Sequence, residues 1–524
     1  MEHTAPRGHL FVIDGDLNYL CCDAVLVPSS FDMGFSSGLW SKRVPNPAEV
    51  RRLTAHDRVS GWKVIPDRRA SEPQVWIGNV GLNLPDTEPY VAVAEKFVED
   101  AHEALKSEIR CPRLALGVVG TGEGGMRGNK GDMVEALVRR LFELADRLSV
   151  DIVLVAWGVD MYAACQRARK RVQPNPRPLG ELIDCPDIER VDSAVSSIAA
   201  SVRSRRLVAF VGAGVSMGAG LPSWKGLLDE LALEAGGPLA DLDRLHLLDP
   251  RDQAMVIQKR LGKDTFRAKL NDKFSTKDYA LAHGLLASLD PHEVVTTNYD
   301  ALMEQAFGEF RRPAVLPYAP VGTDGRWLPK LHGTIDELAS IVLTRDDYLG
   351  LPERSQALFG IVQAMLMTRH MLFVGYSLSD DSFHRVVHDV RRARGHGQSD
   401  TKLGTVLTLF EDPLLSALWG GDLDIVPVAQ ARDHISHPAE RSASRQLDIV
   451  LDRIGLLSAD VTSFLLDDTY ASMLDRHEET VRDDLLQLMG HLDGSSPIDV
   501  QVREMLATVL RSASGDVQDS AGRP

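Results

Sequence analysis

The chain has 524 residues, more than one hydrophobic core usually organises, and its 44% apolar and 25% charged residues are those of folded globular domains, not of a disordered or fibrous chain. Lys and Arg number 58 against 74 Asp and Glu, a net charge of −16, which argues against a protein whose main task is gripping nucleic acid, although a local basic patch can survive it. The five Cys (21, 22, 111, 165 and 185) fit no metal spacing and no disulfide framework, no apolar run nears the ~20 residues of a membrane span, and MEHTAPRGH lacks the form of a signal peptide, so a cytoplasmic protein is expected.

In chain order, Leu10–Ile13 reads as a strand, Asp14-Gly15-Asp16 as a turn, and Ala24–Val27 as a second strand followed by a loop through Gly34 and Gly38. Helical periodicity runs through Val91, Ala94, Phe97, Val98, Ala101 and Leu105. Leu114–Val119 is a strand entering Gly120-Thr121-Gly122-Glu123-Gly124-Gly125. A helix over about 132–148 and a buried strand over 151–157 follow. Strands alternating with helices make an α/β domain.

Gly15-Asp16-Leu17, Asp23–Val27 and the Gly120–Gly125 loop together resemble macro domains, the ADP-ribose-binding modules, or related nucleotide-sensing Rossmann-like domains. That resemblance implies a regulatory nucleotide site in which Asp16 meets the adenine and Gly120, Gly122, Gly124 and Gly125 wrap phosphates. Pro28-Ser29-Ser30 stands where macro domains are Asn-rich, and Met33–Gly38 replaces their triple-glycine loop. Binding or sensing is therefore expected here, not ADP-ribosyl hydrolysis. Read from the residues alone, the glycine loops equally suit simple turns. This domain is assigned 1–180. QRARKRVQPNPRP at 166–178 ends it with a basic helix end and a proline-stiffened connection.

The second domain, 200–430, opens on Leu207–Val211, apolar and β-prone, running into Gly212-Ala213-Gly214 and a helix over 223–235. Strand, glycine turn and helix present N–H groups to a phosphate, or simply form a tight turn; the spacing departs from GxGxxG because Met217 stands at its last position. Three further motifs follow: Glu293–Asp300 (EVVTTNYD), Pro329–Gly333 (PKLHG) and His370–Asp381 (HMLFVGYSLSDD). In three of the four an apolar strand stops and glycine or polar residues follow at once, the pattern of strand ends lining a ligand crevice in a doubly wound sheet.

The ordered set resembles the sirtuin-like superfamily over about 202–430. The resemblance implies that Gly212, Ala213, Gly214 and Ser216 cradle NAD+ phosphates, and that Pro222 and Trp224 lie near the nicotinamide ribose. It places Thr297 at a usual Gln, Asn298 beside the reacting ribose, and Asp300 on the nicotinamide carboxamide. His332 falls on the catalytic His, and Gly375 and Ser377 on contacts to the adenosine half. Releasing nicotinamide builds an oxocarbenium-like charge on the ribose. Asn298 suits a positioned water or hydroxyl, and His332 a base near neutral pH. On residue type alone, His332 also suits a core position and Asn298 a turn, while Asp380 and Asp381 are expected to cap the helix starting near 382.

No Cys follows position 185, so the four-cysteine zinc module of sirtuin deacylases cannot be built, and no metal is expected. This resembles the sirtuin-like branch of bacterial antiphage defence that cleaves NAD+ outright and depletes it. The expected function is a regulated NAD+ glycohydrolase, a hydrolase of the N-glycosidic bond, acting in abortive infection. Expected with it are self-association, a defence-system partner protein, and an ADP-ribose-type signal at the N-terminal domain. The alternatives are a non-catalytic NAD/ADP-ribose sensing module working with an effector, an NAD-dependent deacylase or ADP-ribosyltransferase, and an effector linked to nucleic acid through a partner. A helical extension over 431–511 (helices 440–456, 460–475, 478–491 and 497–511) and a disordered tail over 512–524 complete the reading.

Overall fold

Thirteen strands appear among the described residues of the computed structural model, in two sheets. The described residues are 7–30, 40, 42–44, 62–64, 73–81, 83–122, 124–275, 278–322, 325–394, 402–430, 437–459, 462–492, 496–502 and 506. The Met33–Gly38 loop, Glu123 and the tail over 512–524 lie outside them. The chain divides into two compact units, Met1–Pro178 with Ala459–Pro524, and Leu179–Ser458.

In the first unit, β1 (Leu10–Asp14), β2 (Ala24–Ser30), β3 (Trp62–Val64), β4 (Gln74–Gly81), β5 (Arg113–Gly117) and β6 (Asp151–Ala156) form a sheet of order β1-β6-β5-β2-β4-β3. All pairings are parallel except β3 on β4. The central strands are apolar on both faces, as a sheet covered on both sides requires. The helix Glu88–Leu105 buries Tyr90, Ala94, Phe97, Val98 and Ala101 along one stripe.

The region read as one helical extension is shared between the units. The helix His437–Ser458 belongs to the second and packs on the helices Ile188–Arg203 and Leu281–Ser288. The segment from Ala459 onward belongs to the first, where Phe464, Leu465, Tyr470, Met473 and Leu474 complete its core. The expected helix over 460–475 is instead two short 3-10 turns, Thr462–Phe464 and Asp468–Met473, because Asp467 caps the second by accepting from Thr469 N–H and so interrupts the run. The basic cluster at 166–171 holds this segment: Arg167 donates to the Met473 carbonyl and pairs with Glu478 at 2.7 Å, and Lys170 donates to the Ala459 carbonyl.

The second unit has seven strands, all parallel: β7 (Leu207–Val211), β8 (Glu293–Thr296), β9 (Ala314–Leu316), β10 (Trp327–Pro329), β11 (His370–Val374), β12 (Gly404–Thr408) and β13 (Leu423–Pro427). Their order is β13-β12-β11-β7-β8-β10-β9. The chain starts at β7, adds β8 beside it and β9 at the edge, inserts β10 between those two, then returns to the other side of β7 and builds outward through β11, β12 and β13. The doubly wound expectation is borne out, and the switch point lies between β7 and β11, where such sheets open a crevice at their carboxyl ends. An aromatic cluster of Phe210, Phe373, Phe383 and Trp419 fills one face beneath it.

Candidate active site

Four strands of the second sheet end in one row. Val374 of β11 is in register with Val211 of β7, Val211 with Thr296 of β8, and Thr296 with Lys330, just past β10. Each is followed within a few residues by one of the four motifs. Asn298 and His332 each stand two residues beyond the paired Thr296 and Lys330. Register alone therefore brings the separated motifs to one edge.

At the switch point the glycines serve close packing. A Cβ on Gly212 would lie 2.3 Å from the Gly375 carbonyl oxygen, and one on Gly375, at φ +64°, would lie 2.5 Å from Val215 N. Gly212 N–H donates to the Val374 carbonyl and Gly214 N–H to the Gly375 carbonyl, both at 2.9 Å. These two N–H groups thus join the loops after β7 and β11. A short helix, Ala213–Met217, carries Ser216 inward.

Ser216 is the hub of a buried network. Its hydroxyl donates to Asp300 Oδ2 at 2.9 Å and accepts from Asn298 Nδ2 at 3.1 Å. His283 Nε2 lies 3.4 Å away. Ala280 N–H donates to His283 Nδ1 at 3.2 Å, so the imidazole proton sits on Nε2 and points at Ser216. Burial drives the His283 pKa down to about 4 and keeps the ring neutral. With one proton given to Asp300 and two bonds accepted, the Ser216 hydroxyl is saturated. That fixes the Asn298 amide with its nitrogen toward Ser216, leaving Oδ1 as a buried acceptor without a hydrogen-bond partner. Asp300 also accepts from the N–H of Leu302, the first residue of the helix Leu302–Ala306, at 3.1 Å. Ser216 thereby ties Asp300, Asn298 and His283 together.

His332 lies opposite, with Nε2 3.0 Å from Asp380 Oδ2. The approach makes no aligned hydrogen bond. The Tyr348 ring packs edge-on against the imidazole, centroids 5.3 Å apart. Asp380 also accepts from Ser382 N–H at 2.7 Å, the expected helix cap. Burial works to raise its carboxyl, but the His332 contact and the cap hold it below the usual carboxylate range. Asp381 is exposed and pairs with Arg251.

Of the remaining residues, Pro222, Trp224 and Thr297 are half-buried and Ser377 is exposed, its hydroxyl 2.6 Å from that of Ser379. Trp224 opens the helix Trp224–Ala235, capped by Ser223, and its Nε1 is buried without a hydrogen-bond partner.

Among known proteins, the chain is similar to the following. Residues 292–420 match the SIR2-like domain family. The NAD(+) hydrolase ThsA of Enterococcus faecium is 34% identical over 192 residues, covering 35% of this chain and 39% of that protein. The NAD(+) hydrolase ThsA of Bacillus cereus (strain MSX-D12) is 28% identical over 211 residues, covering 39% and 44%. Defense-associated sirtuin 2 of Bacillus subtilis is 28% identical over 213 residues, covering 38% and 21%. The chain thus spans less than half the length of these curated relatives. The sirtuin-like resemblance is borne out for this region. Among solved structures, an Oceanobacillus iheyensis macrodomain with ADP covers 33% of this chain and 96% of its own, at 10% identity and a TM-score of 0.28.

In the first unit the Gly120–Gly125 loop folds over Tyr90. A Cβ on Gly120 or on Gly125 would lie 2.8 Å from that side chain, one on Gly124 would lie 2.7 Å from Val80 O, and Tyr90 donates to the Gly124 carbonyl. A Cβ on Gly122 would meet open space. Asp16 caps the turn Leu17–Tyr19 by accepting from Asn18 N–H at 2.8 Å.

The sequence assigns no role to three residues of the second-unit network: His283 and Glu304, on the short helices Leu281–Ser288 and Leu302–Ala306, and Lys330, within the PKLHG motif. Each is a polar residue inside a buried apolar run, and that was the available signal. Among the described residues no group of His, Cys, Asp and Glu is arranged to hold a metal ion, and no helix is long and apolar enough to cross a membrane.

Proposed function

We propose that this protein is an NAD+ glycohydrolase that releases nicotinamide and ADP-ribose, with its reaction centre at the Asn298–Asp300 and His332 loops. The observation that carries the reading is the row Val374–Val211–Thr296–Lys330, which brings the four motifs to one edge of the sheet. The SIR2-like match and the relatives named NAD(+) hydrolase support it.

Cleavage leaves positive charge on the ribose C1′ and requires a positioned nucleophile. Asn298 Oδ1, the buried acceptor, orients a water or the ribose hydroxyls. Asp300, fixed by Ser216 and Leu302, holds the nicotinamide carboxamide. His332 takes the proton from the nucleophile, with the Asp380 carboxylate beside its Nε2. Pro222, Trp224 and Thr297 border the nicotinamide half. Gly212, Ala213, Gly214, Gly375 and Ser377 border the phosphates and adenosine.

Asn298, Asp300 and His332 are 8%, 4% and 3% exposed, so substrate entry needs an opening of the crevice. That supports regulated activity, as a cell that must keep its NAD+ requires. We assign the regulation to an ADP-ribose-type nucleotide at the first unit (Asp16 and the Gly120–Gly125 loop), to self-association, or to a defence-system partner, with the protein acting in the cytoplasm during antiphage defence. The test is chromatographic: nicotinamide release from NAD+ by the full chain, with and without an ADP-ribose-type nucleotide. Release is expected, and intact NAD+ under every condition would favour the sensing module.

A further inference from the structure

Lys330 and Glu304 form an ion pair at 2.7 Å with side chains 0% and 1% exposed, among the most deeply buried charges of the second unit. Neither residue has a place in the chemistry proposed above. A buried ion pair is a poor way to stabilise a fold, because desolvation consumes most of what the attraction returns, and apolar residues of similar volume commonly do as well or better. The pair therefore calls for another explanation.

The contacts of the ammonium group supply one. Lys330 Nζ donates to the main-chain carbonyls of Asp300 and, at 3.4 Å, Tyr299, in the loop after β8 that carries Asn298 and Asp300. It also lies 3.4 Å from Thr334 Oγ1, two residues beyond His332 in the loop after β10. Lys330 itself stands two residues before His332 and pairs with Thr296 across the sheet. Glu304 lies on the helix Leu302–Ala306, whose first N–H donates to Asp300. One buried cation thus fastens both loops that bear the reaction centre, and its counter-charge comes from the helix that continues the first of them. No apolar side chain could bind those carbonyls.

We infer that Lys330, with Glu304 as its counter-charge, is a positioning residue that fixes the Asn298–Asp300 loop against the His332 loop. The consequence for rate rests on the glycohydrolase reading, since misplacing reacting groups by even an ångström lowers the rate of the chemical step far more than substrate binding.

The test compares Lys330→Met with Lys330→Met/Glu304→Leu in the full chain. The single variant leaves Glu304 buried without its partner and should melt earlier. The double variant removes both charges and should regain most of the lost melting temperature. If Lys330 positions the loop, the double variant still releases nicotinamide with a kcat about 30-fold or more below wild type while KM changes less than about threefold. In that variant, hydrogen exchange at the amides of Asn298 and Leu302 speeds up about tenfold or more. Wild-type kcat and wild-type exchange in a double variant of restored stability would overturn the inference and leave the glycohydrolase reading standing. If the wild-type chain cleaves no NAD+, that reading fails, and exchange alone decides the clamp. The wild-type chain gives a further check needing no variant: the Asn298 and Leu302 amides should be protected as strongly as those of β8, and fast, loop-like exchange there would overturn the clamp.

Discussion

Ser216 shows how one small side chain can set the orientation of three others. Because its hydroxyl is saturated, Ser216→Ala leaves Asp300 Oδ2 and His283 Nε2 without their partner and frees the Asn298 amide to turn. The expected cost is about 2 kcal/mol in urea unfolding, with a larger proportional loss of nicotinamide release. His283 adds a pH dependence of definite sign. Its folded pKa, about 4, lies below the ordinary value of 6.5, so the unfolded chain binds the extra proton between the two. Its contribution is fully present above pH 6.5 and is lost as pH falls toward 4, on the order of 3 kcal/mol across that window. His283→Gln should flatten the fall in melting temperature between pH 6.5 and 4.5, and an unchanged slope would refute the assignment. Asp380→Asn separates capping from chemistry. Asn still accepts from Ser382 N–H, so stability should change little, while nicotinamide release should drop about tenfold or more. A variant of full activity would make Asp380 a cap alone. The sequence made the cap legible from the position of Asp380 before a helix. The His332 contact was not legible, because it joins residues 48 apart in the chain through the sheet register.

At the scale of elements, the strands are read most easily where they are buried on both faces. Leu207–Val211, Leu114–Leu116 and Ile152–Ala156 are continuous apolar runs and lie close to where the periodicity puts them. The three-residue strands β3, β9 and β10 carry too little pattern to be seen alone. The failure over 460–475 has a local cause, since the Asp467 carboxylate accepts from both the N–H and the hydroxyl of Thr469, bonds that compete with a helix. The glycines at strand ends were legible as glycines, but their reason was not. Gly212 is needed by the backbone at Gly375, and Gly375 by the backbone at Gly214 and Val215, where the loops of adjacent strands meet. Gly375→Ala adds a Cβ at positive φ against the Val215 nitrogen and should cost about 2 kcal/mol or more, measured as a lower midpoint in denaturant.

For the molecule as a whole, each unit has its own sheet and its own core. Calorimetry of the full chain should therefore show two transitions, with Gly375→Ala lowering one of them and leaving the other in place. The candidate site lies wholly within the second unit, although its residues come from motifs spread over 169 positions, Gly212 to Asp380. Local pattern gave the motifs, and only the doubly wound topology explains why they meet. The measurement that tests the central claim most directly is nicotinamide release from NAD+ by the wild-type chain, with and without an ADP-ribose-type nucleotide, beside Asn298→Ala and His332→Ala. The account predicts release by wild type and a loss of about a hundredfold or more in each variant. Wild-type release that survives either substitution would contradict it.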